Sequence, residues 1–321
     1  METSTPTENR DRRPRIIVLA GCTASGKGEV ARLLARRIGA EILSVDSMKV
    51  YRGMDIGTNK PTLAERGDVP HHLIDVADPW EAFSAARFVE RADQVVAEVT
   101  ARGRPVVAVG GTVLYLKCWY EGLFDGPSAD AAIRAEIRTR AQREGQDALH
   151  AELAAIDPQA AARIHRRDLR RIERALEVHR LTGRPISELQ QQWSAAQVRR
   201  PEWNWTLFGL RRQREAGNRR VNERVRKMIA EGLVEEARRI WTDARGVGDQ
   251  ARQAVGYAEL FAHFEDKLSL DDAIEQIKIN SRRLAKRQRS WLKRMGGMRW
   301  IDVDAEGVAA VVEKLKVASS E

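Results

Sequence analysis

The segment GCTASGKG, Gly21 to Gly28, constrains this chain more than any other. Before it stands IIVLAG (Ile16 to Gly21), a short unbroken apolar run of the kind that forms a buried parallel strand. After it comes EVARLLARRIG, where Val30, Leu33, Leu34 and Ile38 fall at helical spacing and Gly39 supplies a stop. Strand, glycine-rich loop and helix in that order make a phosphate cradle. The glycines let main-chain N–H groups converge on one anion, the helix N-terminus adds its positive dipole end, and Lys27 brings a cation. A phosphorylated or diphosphorylated ligand is therefore expected on Gly21, Cys22, Thr23, Ala24, Ser25, Gly26, Lys27 and Gly28. In such loops the residue after the lysine is normally Ser or Thr, whose hydroxyl helps hold Mg²⁺. Here it is Gly28. Mg²⁺ remains the expected cofactor, held by ligand oxygens, water and a nearby carboxylate or hydroxyl, with no metal site made from protein side chains alone. Cys22 reads as loop filler rather than a reactive thiol.

Strands continue to alternate with helices through the first third. EILSVD ends at Asp46, and PVVAVGG runs from Pro105 to Gly111 after a helix from about Ala85 to Arg102. That alternation predicts βαβ units and a parallel sheet covered on both faces. From about Gly126 the pattern turns helical, rich in Ala, Arg and Glu, from Asp130 to Gln192. WNWTLFGL (Trp203 to Leu210) reads as a return to the sheet. Helices Val221 to Trp241 and Asp271 to Met295 follow, with a last short strand, RWIDV, near Trp300. The expected fold class is α/β, a P-loop NTPase-like parallel sheet with an inserted all-helical domain. Its divisions are a disordered tail over 1–14, the first part of the core over 15–125, the insertion over 126–200 and the second part of the core over 201–321.

Charge then bears on the partner. Of 321 residues, Lys and Arg number 55 against 46 acids, a formal net charge of +9, which points to a polyanion. The excess is clustered. Arg282, Arg283, Lys286, Arg287, Arg289, Lys293, Arg294 and Arg299 follow one another with no acid among them, while Ile277, Leu284, Trp291 and Met295 form an apolar stripe. Arg163, Arg167, Arg170 and Arg174 recur at spacings of three and four, which predicts one cationic helix face opposite Leu169, Ile172 and Leu176. Two such faces beside a phosphate loop favour contact with a nucleic-acid backbone. Two cysteines exclude a disulfide framework, no apolar run approaches the about 20 residues that cross a bilayer, and the N-terminus lacks a signal-peptide core. A cytoplasmic monomer is expected. His71 and His72 are adjacent and would face opposite ways on a strand, so they suit hydrogen bonding rather than a shared metal. Trp193, Trp203, Trp205 and Trp241 suit packing.

Asp46 lies at the carboxyl end of the second strand, the edge where open α/β sheets build their sites. As a residue it could be a metal ligand, a general base or a strand-end cap. The words around it narrow the choice: SVDSMKVYRGMDIGTNKP from Ser44, PHHLID from Pro70, GGTVLYLK from Gly110 and PSADAAIRAEI from Pro127. Then come LHAELAAIDPQAAARIHRRDLRRIERALEVHRLTG from Leu149, RQAVGYAEL from Arg252 and RRLAKRQRSWL from Arg282. In this series the chain resembles the tRNA dimethylallyltransferases, also called tRNA isopentenyltransferases, over everything after the tail.

The resemblance implies a function and a set of roles. The loop from Gly21 to Gly28 would hold the diphosphate of dimethylallyl diphosphate, Asp46 would accept the proton of an adenine amine, and Arg224 would stabilise the departing diphosphate together with Lys27. Ser47, Met48 and Lys49 fall in the family's tRNA-contacting stretch, Thr112 near the target nucleotide, and Arg134 at a tRNA-contacting arginine. Gln253, Gly256 and Tyr257 belong to a further tRNA-touching stretch. With the basic faces, Arg170, Arg171, Arg174, Arg282, Arg283, Lys286 and Arg287 are also expected to meet tRNA. The partners would be dimethylallyl diphosphate and a tRNA anticodon stem-loop, with no membrane. The target would be the adenosine 3′-adjacent to the anticodon in tRNAs reading codons that begin with uridine. The chain departs from the family at Gly28, at Cys22 where proline is common, and at Asn59. An adenylate prenyltransferase, a small-molecule kinase and a non-catalytic tRNA-binding homologue are the alternative readings.

Overall fold

The computed structural model describes residues 13–123, 126–191 and 199–318. Most of the expected N-terminal tail, Gln192 and Trp193 lie outside the described residues. β1 (Arg15–Gly21), β2 (Glu41–Val45), β3 (His71–His72), β4 (Val106–Gly110), β5 (Asn204–Arg211) and β6 (Arg299–Asp302) form a sheet in the order β3-β2-β4-β1-β5-β6. Every pairing is parallel. The central strands are continuous apolar runs because both of their faces are covered. On one face Ile17, Leu19, Ile42 and Val107 pack with Val30, Leu34, Val311 and Leu315.

Expectation and structure agree closely for β1, β2, β4, β5 and β6. β3 was not anticipated, since two residues carry no periodicity. Its histidines are hydrogen-bonded: His72 Nε2 lies 2.7 Å from Glu41 Oε2, and His71 Nδ1 lies 2.7 Å from the Val69 carbonyl. The long helix expected from Val221 to Trp241 is two, Arg214–Ala230 and Leu233–Trp241, because Gly232 turns the chain at φ 97°. Trp291 is 39% exposed rather than part of the apolar stripe; Ala273, Ile277, Ala285 and Leu292 are the buried residues of helix Leu270–Leu292. Trp203 and Trp205 pack on Trp119, and Trp241 packs on Phe261.

The chain divides into two compact units, Met1–Trp119 with Arg200–Glu321, and Tyr120–Arg199. The second unit is helical throughout its described elements, around Ile137, Leu149, Leu153, Ile172 and Leu176. Within it the expected four-arginine face does not form. Helix Pro158–Arg163 ends before Ile164, and a new helix, Leu169–Thr182, starts at Asp168, whose carboxylate accepts the Arg171 N–H. Arg163 and Arg167 therefore stand on a different segment from Arg170 and Arg174.

In the sheet unit, register sets the functional edge. Ala20 and Val45 both align with Gly110, so Gly21, the last residue of β1, stands beside Asp46 and Gly111, which follow β2 and β4. A Cβ at Gly110 would overlap the Val45 carbonyl, so only glycine allows that approach. Behind this edge the loop after Met54 is gripped by one carboxylate. Glu236, 2% exposed, accepts the N–H groups of Asp55, Ile56 and Gly57 at 2.9–3.0 Å and the Tyr257 hydroxyl at 2.5 Å. Burial and the Glu236 charge push the Tyr257 phenol well above its ordinary pKa, so it stays a donor. Glu236→Ala would leave the buried Tyr257 hydroxyl and three part-buried N–H groups without their acceptor, and a buried donor left unpaired costs about 1–3 kcal/mol, so unfolding free energy should fall by about 3 kcal/mol. An unchanged urea midpoint would contradict this role.

Candidate active site

A cleft of about 300 Å³ opens at the carboxyl edge of β1, β2 and β4. Its floor is the phosphate loop. Gly26 at φ 90° and Ala24 at φ 63° turn the backbone through the left-handed region ahead of helix Lys27–Ile38, a conformation in which successive main-chain N–H groups can converge on an anion. Gly21 leaves no room for a side chain, because a Cβ there would lie 2.6 Å from Ser25 Oγ. Cys22 is buried, with its sulfur 4.0 Å from Arg289 Nη1, consistent with filling.

Cations surround the loop. Lys27 Nζ donates to the Cys22 carbonyl at 3.1 Å, and Arg224 Nη1 donates to Thr23 Oγ1 at 3.1 Å. Removal from bulk water, and then the Lys49 charge, pull Lys27 from 10.5 down to about 8, against the opposing attraction of Asp46. Lys49 is lowered too, first by desolvation, with Asp46 opposing and Arg224 and Arg32 adding repulsion. Desolvation and Arg220 lower Arg224 in the same way. A site that disfavours its own cations when empty is one prepared for an anion.

Asp46 stands across from these groups. Its Oδ1 accepts the N–H groups of Met48 at 2.9 Å and Lys49 at 3.3 Å, which fixes the carboxylate at the strand end. Thr112 Oγ1 accepts the Ser47 N–H at 2.9 Å and donates to Ser47 Oγ at 3.3 Å, so the residue after Asp46 is tied to the end of β4. Gln288, absent from the sequence expectations, joins the two halves. Its Oε1 accepts the Thr23 N–H at 2.8 Å and its Nε2 donates to the Gly111 carbonyl at 2.9 Å. Nothing in periodicity marks Gln288 as special; a lone amide among arginines on the inward-facing side of a basic helix was the only available sign.

Other expected tRNA residues divide. Gln253, Arg283, Lys286 and Arg287 are exposed, and Arg282 Nη1 donates to Asn222 Oδ1 at 2.5 Å. Tyr257 is fully buried, so the expectation that it touches tRNA is corrected: it supports Gly57 and Glu236 from beneath, while Gly256 beside it lines the cleft. In the helical unit Arg170 and Arg171 are exposed. Arg134 and Arg174 pair with Glu177, with Arg134 Nε at 2.8 Å and Arg174 Nη1 at 2.7 Å, and keep 32% and 28% of their side chains exposed. Burial alone would raise the Glu177 carboxyl; those two arginines and the Asp130 N–H hold it below its ordinary value. Their place is as counter-ions of a buried acid.

A side-chain seat for Mg²⁺ is not furnished. Position 28 has no hydroxyl, Thr23 Oγ1 is taken by Arg224, and Ser25 Oγ is buried beneath Gly21. Among the described residues no group of three or more His, Cys, Asp or Glu could hold a metal ion.

Sheet order, phosphate loop and strand-end acid define a P-loop α/β protein whose cleft pairs an anion cradle with a carboxylate. The family model described as IPP transferase matches residues 49–295. The tRNA dimethylallyltransferase of Geobacillus thermodenitrificans is 45% identical over 304 residues, covering 94% of this chain and 95% of that one. The one from Geobacter metallireducens is 46% identical over 292 residues, covering 91% and 94%. The crystal structure of the full-length tRNA isopentenylpyrophosphate transferase from Bacillus halodurans is similar at 37% identity and a TM-score of 0.68, covering 96% of this chain and 98% of that one. A eukaryotic dimethylallyltransferase acting on tRNA matches at 26% identity and a TM-score of 0.77, covering 94% and 77%. The chain belongs to the IPP transferase family and is a transferase.

Two outcomes follow from the geometry. Lys27 loses its proton as pH rises through about 8, so affinity for inorganic diphosphate should fall between pH 7 and 9.5, by up to tenfold per unit above 8. Between 8 and 10.5 the unfolded chain holds this proton more often than the empty folded one, so this group's contribution to the stability of the empty protein rises over the same window. Calorimetric titration at several pH values checks the first point, with Lys27→Met expected to flatten the profile. Gln288→Glu keeps the Thr23 bond but sets oxygen against the Gly111 carbonyl. It should lower the single-turnover rate about tenfold to a hundredfold, as small misplacements do, with tRNA affinity unchanged. A rate within threefold of the parent would contradict the bridging role.

Proposed function

We propose that this chain transfers the dimethylallyl group of dimethylallyl diphosphate to the exocyclic amine of the adenosine 3′-adjacent to the anticodon, in tRNAs reading codons that begin with uridine. The observation that carries the reading is the register of β1, β2 and β4, which sets an anion cradle beside Asp46 within one cleft.

The chemistry suits these groups. The adenine amine is a weak nucleophile, because its lone pair is delocalised into the ring. Its attack on C1 of the dimethylallyl group forms a C–N bond as the C1–O bond to diphosphate breaks, and the amine proton passes to Asp46. The Asp46 Oδ1 is occupied by main-chain donors, which leaves Oδ2 to take the proton. Charge growing on the departing diphosphate meets the loop N–H groups, Lys27 and Arg224. The target base leaves its stack to enter the cleft, at a cost of a few kcal/mol recovered by contacts there. In this reading Ser47, Met48 and Thr112 line the path of the adenosine. Exposed Gln253, Arg283, Lys286 and Arg287 in one unit, and Arg170 and Arg171 in the other, meet tRNA phosphates. No helix among the described residues is long and apolar enough to cross a membrane. A cytoplasmic monomer belongs to the same proposal.

Incubating the protein with labelled dimethylallyl diphosphate and either unmodified tRNA or AMP tests the substrate. Label in tRNA is expected; label in AMP alone, or none, would overturn it. Asp46→Asn should bind tRNA as the parent does yet lose roughly a hundredfold in single-turnover rate, the scale of a missing general base. Full activity in that variant would remove Asp46 from the mechanism.

A further inference from the structure

The cleft is poor in metal ligands and unusually rich in cations. Lys27, Arg32, Lys49, Arg220 and Arg224 line it, against the carboxylates of Glu29, Asp46 and Glu65. Of those acids, Glu29 is exposed, Asp46 Oδ1 is bound to main-chain donors, and Glu65 Oε2 accepts the Thr62 N–H in a capping box.

Gly28 and Arg32 are one helical turn apart on the same face of helix Lys27–Ile38. A Cβ built on Gly28 would meet only Arg32 Nη1, at 3.5 Å. The space where a serine or threonine hydroxyl would seat Mg²⁺ is therefore faced by a guanidinium. Arg32 is 21% exposed and its pairing with Glu65 is loose, 3.5 Å between Nη2 and Oε1. A guanidinium repels a divalent cation brought to that place and attracts the oxygens of a diphosphate. Lys49 adds a second ammonium to the same cleft as Lys27.

We propose that Lys49 and Arg32 are diphosphate-binding residues that take over the charge-neutralising role of a hydroxyl-seated Mg²⁺, so that this site holds diphosphate without a metal ion. Lys49, expected from the sequence to meet tRNA, is thereby assigned to the anion. Besides desolvation, Lys49 lowers Lys27, and Arg224 and Arg32 lower Lys49, as befits cations held together before the anion arrives. The inference deepens the prenyl-transfer reading by naming what receives its leaving group, and its test does not require transfer to occur.

The experiment titrates inorganic diphosphate into the full-length parent chain by calorimetry, in EDTA and in Mg²⁺. The parent should bind in EDTA with a dissociation constant within tenfold of that in Mg²⁺. Lys49→Met and Lys49→Gln, each checked for parental circular dichroism, should bind in EDTA tenfold to a hundredfold more weakly, as loss of one charged hydrogen bond implies. Lys49→Met combined with Arg32→Met and Gly28→Thr should bind tenfold or more tighter in Mg²⁺ than in EDTA, whereas Lys49→Met alone should not. Parent binding that falls more than tenfold in EDTA would overturn the proposal, as would parental EDTA affinity in both Lys49 variants. A chain that binds diphosphate in EDTA yet labels no tRNA would sink the transferase reading and leave this inference standing.

Discussion

The alignment of three parallel strands on Gly110 governs everything at the functional edge. Because Ala20 and Val45 share that partner, the phosphate loop, Asp46 and the Gly111–Thr112 turn emerge within hydrogen-bonding reach of common partners. Gly110 permits the approach, Gln288 fastens the loop to Gly111, and Thr112 fastens Gly111's neighbour to Ser47. Each of these links joins a side chain of Gln288 or Thr112 to a main-chain group, so the geometry of anion and base depends on backbone register and on those two side chains that pin it. Such a framework suits a reaction in which a small displacement of the base from its target costs orders of magnitude in rate.

The same edge concentrates positive charge at an expense in stability. Crowding the half-buried Lys27, Lys49 and Arg224 into one cleft disfavours each of their charged forms. A fold selected for stability alone would replace such groups with neutral ones of similar volume. Their retention is understandable where an anion completes the site. Elsewhere in the molecule buried charge is handled differently: Glu236 is satisfied by main-chain donors, Glu177 by Arg134 and Arg174, and Glu41 by His72 and Arg102. The +9 excess thus has distinct destinations. Part closes internal ion pairs, part lines the cleft, and part is left exposed on Arg170, Arg171, Arg283, Lys286 and Arg287.

Local pattern carried the centre of the sheet, because β1, β2 and β4 are apolar runs that end in or run into glycine or an acid, and such runs have few alternatives when helices alternate with them. The loop and Asp46 were legible for the same reason: their place follows from the strand they terminate. What the sequence hid depends on partners distant along the chain. Gln288 meets Thr23 across 265 residues and Glu236 meets Asp55 across 181, and no spacing rule reports such pairs. The four-arginine face failed because Asp168 caps a new helix in the middle of an otherwise regular pattern. Tyr257 sits in a motif that resembles a tRNA-touching stretch, yet Gly57 and Glu236 draw it inside. Gly28 was visible as a departure, but its meaning came only with Arg32 standing over the open position.

The central claim is that one cleft brings an adenine amine, a prenyl diphosphate and Asp46 together. A crystal structure of this chain with an unreactive thiolo analogue of dimethylallyl diphosphate and an anticodon stem-loop RNA tests it most directly. The expected density shows diphosphate on the N–H groups from Ala24 to Gly28, with the adenine amine between the analogue's C1 and the free oxygen of Asp46. An anion bound elsewhere, or an adenine turned away from Asp46, would contradict it.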